Sequence, residues 1–122
     1  MTCTVSDKRY IDQKPKDGSL LMNVSLRDCT DKIYKYIKDA IIVDDWDKVC
    51  RENTDIEFFH KTQGLQKDNT KSITDVLIKN EMSDYDNSQV IMFNPMGMAI
   101  FDMAIGKYYF KKSIQNNNFI KL

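Results

Sequence analysis

The stretch VIMFNPMGMAIFDMAIGKYYFKK, residues 90–112, decides the fold. Its first four residues, 90–93, form a continuous apolar run that is typical of a strand covered on both faces of a parallel sheet. Asn94 and Pro95 follow and suit the N-cap and first position of a helix, where a proline needs no amide partner. Between residues 96 and 105 only one side chain is charged. The pattern predicts a long final helix whose first half is apolar almost all round and buried on every side, and which emerges into solvent after Gly106.

Three further apolar runs upstream predict strands, each followed by helix-like sequence. They are residues 1–5, residues 20–24 after an Asp17-Gly18 turn, and residues 41–43. Helices are predicted at residues 30–38, 46–51, 55–61 and 72–79, the last capped by Thr70 or Ser72. Residues 62–71 and 82–88 are polar and are expected to be exposed connections. Alternating strands and helices predict an α/β fold with a parallel sheet, flanking helices and a long C-terminal helix.

Composition bounds the class of protein. The chain has 18 basic and 18 acidic residues, so no large positive field exists to attract nucleic acid or an anionic membrane. The longest apolar run is too short to span a bilayer, and no leader pattern indicates secretion. Cys3, Cys29 and Cys50 form no CxxC pair, and with the single histidine His60 they offer few zinc ligands. These features predict a cytoplasmic protein with reduced structural thiols and no metal site.

Polar side chains close each predicted strand. Thr4 and Ser6 end the first, Asn23 and Ser25 the second, Asp44 and Asp45 the third, and Asn94 the fourth. Since ligands of open parallel sheets bind outside the carboxyl ends of the strands, these residues could form one lip of a ligand site. Small polar residues also end strands because they make turns and caps, and that interpretation stands beside the first.

Asp28 lies just past the second predicted strand and has two interpretations. In a closed pocket it could act as a general base or hold a substrate amine. It is equally suited to cap the helix that begins near Thr30. His60 stands beside two phenylalanines and is expected to be a partly buried structural side chain. Trp46 is expected to anchor a helix to the sheet.

The segment Asn94-Pro95-Met96-Gly97-Met98-Ala99-Ile100-Phe101-Asp102 resembles the closing helix of the ornithine cyclodeaminase/mu-crystallin superfamily, in which a Gly-x-Ala-x-x-Asp pattern opens the last long helix. Thr2-Cys3-Thr4-Val5-Ser6 is similar to the family's Thr-rich fourth Rossmann strand. Residues 17–25 and 42–52 are similar to the segments that follow that strand. The resemblance covers nearly the whole chain. With Asp44-Asp45-Trp46 included, it points to the branch that acts on N-(2-amino-2-carboxyethyl)-L-glutamate.

This resemblance implies an NAD-dependent enzyme that oxidises a secondary amine by hydride transfer and hydrolyses the imine to 2,3-diaminopropionate and 2-oxoglutarate. Asp28 falls where cyclodeaminases carry a catalytic aspartate. The glycine before that aspartate and the Pro-Gly-Lys after it are replaced here, so cyclodeamination of ornithine itself is not implied. The resemblance also implies a cofactor site. Thr4 and Ser6 would face the nicotinamide-side ribose, and Asn23, Val24 and Ser25 would approach the nicotinamide ring. Asn94, Pro95 and Met96 would close the pocket beside that ring.

The resemblance also implies an incomplete domain. Residues 1–94 would be part of a Rossmann-like NAD-binding domain without its glycine-rich first half, and residues 95–122 a C-terminal helix and tail. The 122 residues hold no GxGxxG turn, so we expect weak NAD binding, or none, by the chain alone. The expected substrate is small and amino-acid-derived, and the expected partner is the missing N-terminal half or a second copy. The alternative is a protein of mu-crystallin type that binds a nucleotide and a small ligand without catalysis.

Overall fold

The computed structural model describes residues 7–83, 85–97 and 99–116. The predicted α/β class, with a parallel sheet, flanking helices and a long C-terminal helix, is confirmed. Its elements in chain order are β1 (Leu20–Met22), α1 (Asp31–Ile37), β2 (Ile41–Val43), α2 (Trp46–Val49), α3 (Asp55–Gln63), β3 (Thr70–Ser72), α4 (Ile73–Lys79), β4 (Ile91–Asn94) and α5 (Ala99–Gln115).

The four strands form one parallel sheet in the order β1-β4-β2-β3. Although β4 comes last in the chain, it lies inside the sheet, with Met92 opposite Leu21 of β1 and Ile41 of β2. All three residues of β2 are buried, as expected for a strand covered on both faces. Because every pairing is parallel, the carboxyl ends of the strands share one edge, where ligands of such sheets bind.

Strand β3 corrects the interpretation of residues 62–71 as an exposed connection. Thr70, Lys71 and Ser72 pair with β2 and are half-buried. The strand is short and contains no apolar residue, so neither hydrophobicity nor periodicity marks it in the sequence. The predicted strand at residues 1–5 lies outside the described residues. The four observed strands are therefore not the same set as the four predicted ones.

The apolar core joins the sheet to helices α1 and α3. Ile33 and Ile37 of α1 and Ile56 and Phe59 of α3 are fully buried, and Met92 of β4 belongs to the same cluster. Burial of each such side chain stabilises the fold by roughly 1.5–3 kcal/mol. Leu26 and Cys29, in the loop that follows β1, belong to the same cluster, so the core joins α3 to the loop that carries part of the site described below.

The start of the last helix differs from the prediction. Asn94 is the final residue of β4 and does not cap a helix, and Pro95 is not the first helical residue, since α5 begins at Ala99. Asn94 pairs with Val43 in the sheet, so tertiary pairing outweighs its capping preference. Gly97, with φ of 85°, lies in the connection between the two elements.

The burial of the first half of α5 differs from the prediction, whereas its exposure after Gly106 agrees with it. Every residue of this helix is exposed except Ser113, which is half-buried. The exposed side chains include Phe101, Ile105 and Phe110. Within the described part of the chain, α5 therefore extends into solvent with its apolar surface uncovered. No helix among the described residues is long and apolar enough to cross a membrane.

Candidate functional site

Two asparagines meet at the carboxyl edge of the sheet. Asn23 directly follows β1 and Asn94 ends β4, and both are fully buried. The Nδ2 atom of Asn23 donates to Oδ1 of Asn94 at 2.8 Å and to Oδ2 of Asp55 at 2.8 Å. Nδ2 of Asn94 has no hydrogen-bond partner in the described part of the chain. A buried donor left without an acceptor costs about 1–3 kcal/mol, so this amide has unused binding capacity.

Asp28 is a fully buried carboxylate beside this pair. Its Oδ2 atom accepts a hydrogen bond from the hydroxyl of Ser25, and its Oδ1 atom has no partner among the described residues. The capping interpretation of Asp28 is wrong, because α1 begins at Asp31 with Thr30 at its N-cap and no side chain bonded to the cap position. Asp28 therefore retains one free carboxylate oxygen, and its catalytic role stays a prediction.

A second buried carboxylate, Asp55, lies at the first position of α3. Its oxygens accept from the backbone amides of Asp28 at 3.1 Å and Cys29 at 3.2 Å, and from Asn23. Asp55 also forms an ion pair with Arg9. Neither residue was predicted as part of the site. An acidic residue in the first turn of a helix is ordinary, and Arg9 stands in a polar segment without a motif.

The guanidinium of Arg9 is largely buried, with 17% of its side chain exposed. It stacks on the ring of Phe58 at 4.2 Å and donates to the backbone oxygen of Asn53 at 2.8 Å. Burial lowers the pKa of Arg9 from its ordinary value. One guanidinium thus faces two buried carboxyl groups, those of Asp28 and Asp55. Arg27 is a second cation close enough to act on Arg9, so the cluster combines two basic and two acidic side chains.

The neighbouring thiol does not take part in chemistry. Cys29 is fully buried and free. Burial, reinforced by the adjacent Asp28, raises the pKa of Cys29 to about 12. The thiol therefore stays protonated and is a poor nucleophile at neutral pH.

Asp44, at the end of β2, links the segment after β2 to the segment after β4 at the carboxyl edge of the sheet. Its Oδ2 atom accepts from the amide of Gly97 at 2.9 Å, and its Oδ1 atom from the amide of Asp45 at 2.8 Å. A cavity of about 350 Å³ lies beside it. Four carboxylates and one lysine are among its lining residues, so the cavity repels a phosphate group. Those charged residues are Asp44, Asp45, Asp68, Asp75 and Lys67.

The other predicted site residues occupy less enclosed positions. Val24 is 42% exposed, whereas Ser25, Pro95 and Met96 are half-buried. The structure therefore brings the buried residues Asn23, Asp28 and Asn94 together with the half-buried Ser25, while Val24 faces solvent next to them. Thr4 and Ser6 lie outside the described residues.

His60 is exposed, which corrects its predicted partial burial. Its Nδ1 atom lies 2.6 Å from the backbone oxygen of Leu65, and its ring meets the edge of Trp46 with 5.9 Å between centroids. These contacts give His60 a structural role in closing the end of α3. In the described ranges, no group of three or more His, Cys, Asp or Glu side chains could hold a metal ion.

Known proteins resemble this chain over almost its full length. No protein-family model matches the sequence. Over 120 residues it is 29% identical to N-((2S)-2-amino-2-carboxyethyl)-L-glutamate dehydrogenase of Staphylococcus aureus, a match that covers 96% of this chain and 35% of that protein. The fold is similar to the crystal structure of a probable ornithine cyclodeaminase from Bordetella pertussis, with a TM-score of 0.71 and 14% identity. That match covers 98% of this chain and 40% of the other. The chain thus spans well under half the length of both proteins.

Proposed function

Because the chain corresponds in sequence and fold to the C-terminal portion of the ornithine cyclodeaminase superfamily, we propose that it belongs to an NAD-dependent dehydrogenase acting on a secondary amine. The proposed substrate is of the N-(2-amino-2-carboxyethyl)-L-glutamate type, and the products are 2,3-diaminopropionate and 2-oxoglutarate. The proposal rests on the buried group at the carboxyl edge, in which Nδ2 of Asn94 and Oδ1 of Asp28 have no hydrogen-bond partner among the residues that the structure describes. Buried polar atoms are nearly always hydrogen-bonded, so these two suit a bound ligand.

The unused donor of Asn94 fits the cofactor by hydrogen-bonding type. A nicotinamide carries a carboxamide whose oxygen accepts a hydrogen bond, and a side-chain amide nitrogen supplies one. When bound, NAD would accept the hydride from the carbon beside the amine. Since both unused atoms are screened from solvent, a ligand would reach them only if the residues that cover them move. The proposed cofactor-facing residues are Thr4, Ser6, Asn23, Val24, Ser25, Asn94, Pro95 and Met96.

Asp28 is the proposed catalytic group and would act on the amine. Its Oδ2 atom is held by the hydroxyl of Ser25, which leaves Oδ1 to accept the proton that the amine nitrogen loses. Asp28, protonated in this step, would return the proton to the nitrogen after water adds to the imine carbon with release of a proton, and the C–N bond then breaks to give the two products.

A complete site needs residues in addition to those described. We propose that they come from a polypeptide that supplies the rest of the relatives' fold, or from a second copy of the chain. We also propose that the protein works in the cytoplasm. The exposed apolar side chains of α5 support a protein partner. The chain alone should bind NAD with a Kd no tighter than roughly millimolar, because its 122 residues hold no glycine-rich phosphate turn. Calorimetric titration measures this affinity, and a micromolar Kd would contradict the expectation.

The role of Asp28 is tested in a chimera in which this chain replaces the matching segment of the staphylococcal dehydrogenase. We expect Asp28→Asn to lower substrate-dependent NADH formation by roughly 10²–10⁴-fold, the usual contribution of a general base, with NAD affinity retained. Asp31→Asn is the matched control, since Asp31 is an exposed carboxylate in the first turn of α1. Full turnover by Asp28→Asn would remove Asp28 from the mechanism. A folded chimera that binds NAD without turning over this amine would favour a non-catalytic binding protein.

A further inference from the structure

We propose that Asp55, fixed by Arg9, is a positioning residue that holds the loop between β1 and α1, residues 23–30, in the conformation that presents Asp28. The inference deepens the proposed function and rests on it for the catalytic role of Asp28. The ordering of the loop by Asp55 stands on contacts that are independent of any reaction.

Asp55 contacts the loop along its whole length. At the start, its Oδ2 atom accepts from Nδ2 of Asn23 at 2.8 Å. In the middle, its backbone amide donates to the oxygen of Leu26 at 2.5 Å. At the end, its carboxylate accepts from the amides of Asp28 at 3.1 Å and Cys29 at 3.2 Å. One residue of α3 therefore links the beginning, centre and end of a loop that lies 26–32 positions away in sequence.

The loop needs such support because its backbone is strained. Leu26 has φ of 66°, a left-handed conformation that costs a residue with a side chain roughly 1–2 kcal/mol. Such conformations persist where the surrounding structure determines them. Here Leu26 is buried, and its amide donates to Oδ1 of Asn23 at 3.3 Å while its oxygen accepts from Asp55. Without the carboxylate of Asp55, the amides of Asp28 and Cys29 lose their acceptor and Asn23 loses one of its own, whereas the backbone oxygen of Asp28 keeps its hydrogen bonds from the amides of Tyr10 and Ile11 at 2.9 Å.

Arg9 makes this arrangement possible by compensating the buried charge of Asp55. A buried carboxylate without a partner is strongly destabilising. Arg9 forms the ion pair with Asp55, and its other nitrogen donates to the backbone oxygens of Asn53 at 2.8 Å and Thr54 at 3.3 Å, just before α3. The planar guanidinium is suited to holding several acceptors in fixed directions. Phe58 supports it from one face at 4.2 Å.

An ordinary first-turn carboxylate caps or stabilises its own helix, and Asp55 differs from that pattern. Its carboxylate bonds go to Asn23, Asp28, Cys29 and Arg9, all outside α3. The amide of Glu57 in the first turn is instead capped by the hydroxyl of Thr54 at 3.2 Å. The helix therefore has a separate cap, which leaves the carboxylate of Asp55 to the loop.

The test compares local and global hydrogen exchange in the folded chain. In Asp55→Asn, we expect the amides of Asp28 and Cys29 to lose at least tenfold more protection than the core amide of Met92, which bonds to Ala40. The side-chain amide resonances of Asn23 should move as well, because one of their acceptors loses its charge. Asp75→Asn is the matched control, since that carboxylate serves α4 through Ser72 and Lys79.

If Asp55→Asn does not fold, Arg9→Lys decides the question, because it keeps the charge and removes the planar fork. It should lower protection of the same two amides selectively, by a smaller factor. Equal loss of protection in loop and core, or unchanged Asn23 resonances and unchanged protection, would overturn the positioning role.

In the active chimera, Asp55→Asn should lower kcat with NAD affinity retained. Unchanged kcat would reject positioning and leave the proposed function standing, whereas unchanged turnover in Asp28→Asn would reject the proposed function itself.

Discussion

Gly18 and Gly64 share a left-handed backbone, with φ of 71° and 73°, but differ in their surroundings. A Cβ atom on Gly64 would meet nothing within 4 Å, whereas on Gly18 it would lie 2.5 Å from the backbone oxygen of Asn87. We expect Gly64→Ala to lower the free energy of unfolding by about 1 kcal/mol through backbone conformation alone. Gly18→Ala should cost clearly more, because steric overlap adds to it. Urea unfolding measures both, and equal losses would argue against the overlap.

Two surface carboxylates predict how stability responds to acid. The hydrogen bond to Lys61, followed by that from the amide of Asn53, lowers the pKa of Glu57 below its ordinary 4.5. Hydrogen bonds to Lys79 and Ser72 lower the pKa of Asp75 below 3.8. A carboxylate with a lowered folded-state pKa stabilises the fold above its unfolded pKa, and this contribution is lost as pH falls through the folded pKa.

The free energy of unfolding from these two groups should therefore be steady near neutral pH and decline below about pH 4.5. Combining Glu57→Gln with Asp75→Asn should make this decline shallower. Chemical unfolding at a series of pH values provides the measurement, with Asp31→Asn as a control that leaves both ion pairs intact. An unchanged acid slope in the double variant would show that other groups dominate it.

Among the individual residues of the site, the sequence predicts the two asparagines but not the ion pair of Arg9 with Asp55. Asn23 and Asn94 close two apolar strands, and parallel pairing alone is enough to bring them to one edge. Arg9 and Asp55 approach through the packing of α3 beside the loop, across a separation of 46 residues, and no local pattern indicates this. Burial is the property that distinguishes Asp55 from an ordinary helix-start aspartate. The functional roles assigned to all these residues stay predictions.

At the scale of the elements, the sequence predicts the start of a helix correctly where a neighbouring side chain caps it. Ser72 caps α4, accepting from the amide of Asp75 at 3.0 Å, and it was one of the two predicted caps. The other, Thr70, belongs to β3. Where a distant part of the chain pairs with the same residue, the local capping preference does not predict where the helix begins. Asn94 favours a helix cap, but the sheet takes it as the partner of Val43, and the helix starts later.

Considered as a whole molecule, the chain has a packed sheet domain and an uncovered helix. Because no residue of α5 is buried, we expect Ile105→Glu combined with Phe110→Glu to change the free energy of unfolding by no more than about 0.5 kcal/mol. The same change should weaken self-association or partner binding, since it removes exposed apolar surface. Urea unfolding and sedimentation measure the two effects. Met92→Ala is the contrasting variant and should cost roughly 2–5 kcal/mol, as for a fully buried side chain.

A loss of more than about 1 kcal/mol in the charged α5 variant would show that the helix stabilises the sheet domain in solution. Unchanged association, with stability also unchanged, would show that α5 is not the surface through which copies or partners meet. The two measurements therefore separate a helix that belongs to the domain from one that belongs to an interface.

The position of β4 between β1 and β2 has a consequence for synthesis on the ribosome. A nascent chain that has reached residue 80 already contains β1, β2 and β3, but β4, which is the partner of β1 among the described residues, has not yet been translated. Until then the apolar edge of β1 and that of β2 remain open to other nascent chains or to chaperones. Formation of the complete sheet must therefore wait for β4, and a chain terminated before it retains unpaired strand edges at β1 and β2.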